Sequence, residues 1–397
     1  MRSIPVTLLT MLPIALLSFA CKDKPLKNNA PADLQDSTSM ILYIGTYTEK
    51  ESHVSGQATG IYIYSFDRIS GRLSYIGSSP ATTNPSYIAI HPSGKWMYAV
   101  NEMSKPDESA GTISAFKLIQ NGRGMEFINS VSSEGNYPCF IQVDQTGKFA
   151  MAANYGSGTV AFLPINADGS LGQALSVDHH EGKGHTSRQE TSHAHMIINS
   201  RDNRYAYSCD LGTDQIYVYR IDTILGRLIP SGSNYRTQPG AGPRHLTFHP
   251  FRNFAYVINE LNGTIECMQV DTITGNLSRF QIISTISSGN SQEAACADIH
   301  ITPSGQYLYA SNRGNYNNIA LYSVHPQTGE LTLTGHQDVK GKTPRNFIID
   351  PSGSYLLVAN QDTDNVVTFR IDPETGKLID IGVESNIPTP VCLKFLK

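Results

Sequence analysis

GPRHLTFHPFRNFAYVINE, residues 242–260, reads as two short strands joined by a turn. Residues 244–249 alternate polar and apolar side chains, His249-Pro250 turns the chain, and residues 254–259 run back. Such a hairpin brings Arg244 and Glu260 to one open end, on neighbouring strands.

The pattern recurs. Copies start at Pro85, Pro138, His193, Pro243, Cys296, Pro344 and Pro390, at intervals of 46 to 55 residues. Several share a turn such as His91-Pro92-Ser93-Gly94 or Asp350-Pro351-Ser352-Gly353, and several end on Asn, as at Asn101, Asn154, Asn259, Asn312 and Asn360. A second strand motif comes after each hairpin, for example Gly263-Thr264-Ile265-Glu266-Cys267. It continues to a Gly-x-Leu turn, as in Gly275-Asn276-Leu277 and Gly329-Glu330-Leu331, and then to a fourth, edge strand. Four strands in about 50 residues fit a propeller blade. The first copy lacks an opening strand and begins at residue 41, and the last copy has only an opening strand, residues 391–396. Joined, they complete one blade. The expected fold is therefore all-β: a seven-bladed propeller of four antiparallel strands per blade, closed by pairing of the N- and C-terminal strands, with no open sheet edge.

Alternation assigns the faces of the opening strands. Counting from each copy's first residue, columns four and six are apolar throughout, as in Leu246/Phe248 and Ile299/Ile301. Columns three and five are mixed, as in His195/Ile197, His245/Thr247 and Asp298/His300. Period two puts the sets on opposite faces. The apolar set is read as packing and the mixed set as lining the central channel.

With 397 residues, 40% of them hydrophobic, the chain is long enough for a large core. Its net charge of −4 and 16% charged residues, with no basic patch, argue against nucleic acid as a partner. Residues 1–21 form a signal peptide: Arg2 supplies the positive end, residues 4–19 are apolar, and Ser18-Phe19-Ala20-Cys21 resembles a bacterial lipoprotein cleavage site with Cys21 as the lipidated residue. An ordinary signal-peptidase site would make Cys21 incidental. Residues 22–39 are polar and read as a flexible tether, and 40–397 as the propeller. The expectation is an exported monomer, periplasmic or on the outer membrane or surface of a Gram-negative bacterium, touching membrane only through its lipid. The other cysteines, Cys139, Cys209, Cys267, Cys296 and Cys392, are odd in number and scattered, so they are read as buried core residues.

Polar residues gather at the open hairpin ends of consecutive copies. The third gives His193 and His195 with Asp210 across; the fourth, Arg244 and His245 with Glu260 across; the fifth, Asp298 and His300 with Arg313 across; the sixth, Arg345 with Gln361 across. An insertion over residues 179–190, containing Arg188, enters the same face as a lid or wall. A ring with only a structural task does not need so many titratable groups at one end, although each alone could be a structural pair. His193-Ala194-His195 lacks a specific metal signature, so neither metal nor cofactor is expected. The second hairpin, with Cys139 and Tyr155, is read as standing outside the site.

At these residues the chain resembles the lactonase family of seven-bladed propellers, which includes propeller-type 6-phosphogluconolactonase and carboxy-muconate lactonizing enzyme. The matching stretches include Arg188-Gln189, His193-Ala194-His195, Asp210-Leu211-Gly212, Gly242-Pro243-Arg244-His245, Asn259-Glu260, Asp298-Ile299-His300, Asn312-Arg313-Gly314, Pro344-Arg345-Asn346 and Asn360-Gln361-Asp362. The resemblance implies His195, Arg244, Glu260 and Arg313 as catalytic residues. It departs at Asp298, where Glu is expected, and in the export signal, which argues against a phosphorylated cytoplasmic substrate. It implies hydrolysis of a sugar lactone by activated water, with Glu260 or His195 as base and the arginines holding the oxyanion. Arg188, His193, Asp210, His245, Asp298, His300 and Arg345 would contact the substrate. A cycloisomerase of a dicarboxylic acid would use the same groups, and a glycan- or partner-binding propeller would use none for chemistry. An Arg244–Glu260 pair exposed at the channel mouth would add little stability.

Overall fold

The computed structural model describes Met1 and residues 38–51, 54–104, 111–286 and 295–396. Cys21, the rest of the expected leader, almost all of the tether and Lys397 lie outside the described residues.

Seven antiparallel sheets form the ring, and their innermost strands are Tyr87–Ile90, Pro138–Val143, Ala194–Asn199, Pro243–Phe248, Cys296–Ile301, Pro344–Ile349 and Pro390–Phe395. Six blades run outward in chain order. The closing blade takes its innermost strand from the C-terminus: Pro390–Phe395 pairs with Ser39–Thr46, with Leu42 opposite Phe395 and Ile44 opposite Leu393. The third blade carries an extra short strand, Tyr235–Arg236, on Gln215–Asp222. Among the described residues there is no α-helix.

Packing obeys the apolar columns. Column-four residues Ile88, Ile141, Leu246, Ile299, Phe347 and Leu393 are at most 2% exposed. Each such burial contributes about 1.5–3 kcal/mol. The third copy corrects the expected frame. Its residue equivalent to Pro243 is Ala194, not His193, because Ala194 faces Asp210 as Pro243 faces Asn259. The buried column-four residue is then Ile197, and His195 moves to column two, the column of Arg244.

The Gly-x-Leu turns have a partner in the neighbouring blade. Tyrosine, three residues before the end of five second strands, donates its hydroxyl to a glycine carbonyl of the next blade's turn: Tyr43 to Gly122 (2.8 Å), Tyr98 to Gly169 (3.0 Å), Tyr207 to Gly275 (2.9 Å), Tyr256 to Gly329 (2.9 Å) and Tyr309 to Gly376 (2.8 Å). In the Gly-x-Leu copies the glycine is required twice over. Gly329 has φ +74°, and a Cβ there would lie 2.6 Å from the Phe254 ring of the preceding blade. The terminal asparagines are structural as well. Asn154 and Asn312 each donate to a backbone carbonyl of the chain entering their own blade, Ser133 and Thr285, at 2.8 Å. The five cysteines of the ring are free and buried.

Candidate functional site

The innermost strands share one irregularity. In six blades the ladder register shifts at its start, as between Pro138 and Phe140, Ala194 and Met196, Pro243 and His245, and Pro344 and Asn346. The residue inside such a β-bulge is unpaired and its side chain is re-aimed. In four blades that residue is Cys139, His195, Arg244 and Arg345, and all four line one cavity of about 590 Å³ at the end of the channel. The far ends of the hairpins supply Glu102, Tyr155, Glu260, Arg313, Gln361 and Asp362 to the same cavity.

Glu260 is its electrostatic centre. Oε1 lies 3.1 Å from Nη2 of Arg188; Oε2 lies 2.9 Å from Nε of Arg244 and 3.1 Å from Nη2 of Arg313. The Arg188 contact is a hydrogen bond; in the Arg244 contact the N–H is not aligned on the oxygen, so it is held by charge. Burial would raise the Glu260 pKa, but Arg313, Arg244, Arg188 and Arg345 hold it down at about 2. Burial, with Arg313 nearby and Glu260 opposing, lowers Arg244 to about 10, so it remains a cation at neutral pH. The pair is not at an exposed mouth: Arg244 is 2% and Glu260 6% exposed, so removing one partner strands a buried charge, which corrects the small cost expected of an exposed pair.

His195 differs from its neighbours. Its Nδ1 is buried and has no hydrogen-bond partner. Burial, then Arg244, His245 and the other arginines, pushes its pKa well below the ordinary value, so the ring is neutral. On the other side of the cavity, Arg345 faces Glu102 at 3.7 Å, and Oε1 of Gln361 is a buried acceptor without a donor.

Two devices hold the arginines. The insertion folds into a single turn, Ser187–Gln189, and buried Gln189 donates to Oδ1 of Asp214 (2.7 Å). The same carboxylate accepts the N–H groups of Gly242 (2.8 Å) and Gly240 (2.7 Å). Asp214 thus ties the segment carrying Arg188 to the one carrying Arg244. Arg188 completes the wall by bonding Tyr155 Oη at 3.0 Å, with its side chain 55% exposed. Arg313 is fixed by backbone: Nε donates to Ala295 O at 2.9 Å.

Of the expected site residues, His195, Arg244, Glu260, Arg313, Arg188 and Arg345 converge on the cavity, and His193, Asp210, His245, Asp298 and His300 do not line it. Asp210 occupies the position of the terminal asparagines; it accepts the His193 N–H (2.9 Å) and pairs with Nδ1 of His180 (2.7 Å). His193 stacks on Tyr155 and bonds its carbonyl at 2.9 Å. His245, Asp298 and His300 lie in columns three and five, along the channel below. Cys139 and Tyr155, expected to be bystanders, are part of the wall. Glu102 and Tyr155 come directly after Asn101 and Asn154, the position of Glu260 and Arg313 in their own blades, and that alignment is the signal that could have found them. Among the described residues no group of three His, Cys, Asp or Glu is placed to hold a metal ion.

The profile of the family described as lactonase, 7-bladed beta-propeller, matches residues 41–395. The 6-phosphogluconolactonase of Bacillus subtilis is 33% identical over 359 residues, 90% of this chain and 99% of the relative. That of Formosa agariphila is 35% identical over 341 residues, 85% and 94% of the two chains. The solved structure of the Pseudomonas aeruginosa periplasmic gluconolactonase PpgL is similar with a TM-score of 0.84 and 29% identity, over 90% of this chain and 99% of that one.

Proposed function

Because the chain belongs to the family of seven-bladed β-propeller lactonases, we propose that the arginine-lined cavity is where it opens a sugar lactone to the hydroxy acid. It is a lactone hydrolase, as its relatives are named. One observation supports the division of roles: Glu260 is gripped by Arg188, Arg244 and Arg313, while the neutral ring of His195 lines the same cavity.

A carboxylate with a pKa of about 2 is a poor proton acceptor at neutral pH. Glu260 instead keeps three guanidinium groups close together and aims them. Arg244 and Arg313 meet the lactone carbonyl oxygen and stabilise the charge that develops there. Water passes a proton to the neutral imidazole of His195 as its oxygen bonds to the carbonyl carbon. Collapse of the tetrahedral species breaks the bond to the ring oxygen, and His195 returns the proton to that oxygen as it leaves. The product acid releases its remaining acidic proton to solvent and stands as a carboxylate beside the guanidinium groups. His195 is weakly basic in this setting, and the arginines offset that by making the carbonyl more electrophilic. Gln361, Glu102 and Asp362 accept hydrogen bonds from the sugar hydroxyls. Arg188 and Arg345 border the bound sugar.

We further propose that Cys21 carries a lipid anchor and that the propeller works as a monomer outside the cytoplasm. The charged start, apolar stretch and Cys21 support that reading. Labelled fatty acid should enter the wild-type protein and not Cys21→Ala; no incorporation into wild type would overturn it.

The catalytic reading is tested in a pH-stat with a panel of sugar lactones, phosphorylated and not. His195→Gln should lower kcat/KM by about 10²–10⁴-fold, the range for a lost acid–base group. A loss under threefold would remove His195 as the base.

A further inference from the structure

Below the cavity, column-three side chains close the channel, and buried Asp298 is their hub. Its carboxylate accepts from Nδ1 of His245 (2.8 Å), Nε2 of His300 (3.0 Å), Nδ2 of Asn346 (2.5 Å) and the N–H groups of Ile299 (3.0 Å) and Phe347 (3.4 Å). Five donors around one carboxylate keep it ionised. An ionised carboxylate accepts only, so Nδ1 of His245 bears a hydrogen. With the ring neutral, Nε2 then offers a lone pair.

That lone pair faces Arg244. Nη1 of Arg244 lies 3.4 Å from Nε2 of His245 and 2.6 Å from the carbonyl of Ala297. Both Nη1 hydrogens are thus committed to fixed acceptors. Two acceptors on one end of a planar fork, with Glu260 at 2.9 Å from Nε, fix the guanidinium plane and leave the rest of the fork to the cavity. The His245 ring is itself held, edge-on to Phe140 at 5.6 Å and to His195 at 5.2 Å. A protonated His245 would set a second cation against Arg244, and a flipped tautomer would set N–H against N–H.

We propose that Asp298 and His245 are positioning residues for catalysis: Asp298 fixes the tautomer of His245, and His245 thereby orients Arg244 toward the lactone carbonyl. The proposal rests on the reading that Arg244 meets that carbonyl. It gives Asp298 and His245 a task in a site that neither of them lines.

The decisive variant is Asp298→Asn, which keeps the shape but puts an amide N–H where an acceptor stood. Histidine ¹⁵N shifts should then move the His245 hydrogen from Nδ1 to Nε2. The kcat of lactone hydrolysis should fall by about 10²-fold or more, comparable to losing an oxyanion donor, with KM within threefold. Asp298→Glu, which keeps the charge and the acceptor, should recover at least tenfold of that loss. Should Asp298→Asn not fold, His245→Gln and His245→Phe carry the test. Gln can present an acceptor near the Nε2 position and should exceed Phe at least tenfold in kcat at similar melting temperatures. A switched tautomer with kcat within threefold of wild type, or equal rates for Gln and Phe, would overturn the proposal while leaving the lactonase reading intact. Arg244→Ala measured alongside separates the two: full activity there would overturn the role of Arg244 itself, and this proposal with it.

Discussion

The residue three places before the end of each second strand and the second residue of each hairpin copy sit one strand apart in the same blade, and the ring treats them in opposite ways. The first is nearly constant: Tyr43, Tyr98, Tyr207, Tyr256 and Tyr309 each donate to a glycine turn in the next blade, with Met151 and Leu357 in the other two. The second differs almost everywhere: Ser86, Cys139, His195, Arg244, Ala297, Arg345 and Val391. One backbone position repeats because the bond it makes is the same around the ring. The other varies because in four blades its β-bulge points the side chain into a cavity that has no sevenfold symmetry. Where the repeat is kept, it maintains blade contact; where it is broken, it builds chemistry.

The largest effect expected from disturbing the varying ring is at Glu260. Glu260→Gln removes the anion that, among the described residues, contacts Arg188, Arg244 and Arg313 together. Activity should fall by about 10²-fold or more. Stability should also fall, by about 3–5 kcal/mol, because buried guanidinium groups lose their counter-charge. Denaturant titration and a lactone assay measure both. Retained stability would mean that water can reach and solvate the arginines, and that the pair behaves as a surface one. The double variant with Arg244→Ala should be less than additive, since the two act as a unit.

Acid should separate the two regions next. The Tyr–Gly bonds carry no titrating group near neutrality, whereas the inner ring does. Burial and the nearby Arg244 lower His245 to about 4, and Glu260 stands at about 2. Between the unfolded histidine value of about 6.5 and pH 4, the unfolded chain binds a proton at this position that the native chain does not, so stability falls as pH falls. The slope from His245 alone is about 1.4 kcal/mol per pH unit. His195 adds in the same direction. Glu260 adds a further loss below its unfolded value of about 4.3, down to about pH 2. Melting temperatures should therefore drop steadily from pH 6.5 toward 4. His245→Gln should flatten that upper part of the curve, and an unchanged slope would show that His245 is already protonated in the native state. With His195 held well below the ordinary histidine value, kcat/KM should show no inflection at about 6.5.

A smaller effect is expected where the scaffold hands over to the site. Asp214→Ala cuts the tie between Gln189 and the N–H groups of Gly240 and Gly242. Arg188 sits at the exposed end of that tie, so binding should weaken more than turnover: KM should rise by about tenfold, with kcat within threefold, since about 1–2 kcal/mol of hydrogen bonding to a charged group is lost. An equal fall in kcat would show that the tie orients Arg244 as much as Arg188.

The sequence discloses these two regions unequally. The ring, its closure and the four strands per blade are legible because they repeat: His-Pro turns, terminal asparagines and Gly-x-Leu turns mark each blade independently. Of the six residues that converge on the cavity, five are legible as titratable groups at open hairpin ends and Arg188 as part of the insertion. The bulge is not. It adds one residue without a composition of its own, so strict alternation puts that residue on the packing face instead of in the cavity. In the third copy Ala194 stands where most others have proline, the landmark is lost, and the frame slips by one, which puts His195 in the channel wall instead of beside Arg244. Glu102 and Tyr155 escape a reading by charge because their own hairpins lack a charge on the opening strand. His245 and Asp298 read as contact residues because polarity alone does not tell a cavity wall from a buried support beneath it.

The smallest effect belongs to the constant ring, and it is the sharpest check on the comparison. Tyr256→Phe keeps the ring and removes only the hydroxyl, leaving the buried carbonyl of Gly329 without its donor at 2.9 Å. That costs about 1–3 kcal/mol. The phenyl contacts with the neighbouring blade survive, and the site lies at the far end of the strand, where Asn259 and Glu260 are held by the ladder to the innermost strand and by the arginines. The melting temperature should fall by a few degrees, with kcat/KM within twofold of wild type. Tyr207→Phe, one blade earlier, should behave alike, and the two losses should add, because the bonds lie at different interfaces and share no partner. The interfaces at Met151 and Leu357 already stand without such a bond, so the ring tolerates its loss. A fall in kcat/KM of tenfold or more in Tyr256→Phe would break the separation: the constant ring would then be setting the geometry of Glu260 as well as holding the blades together.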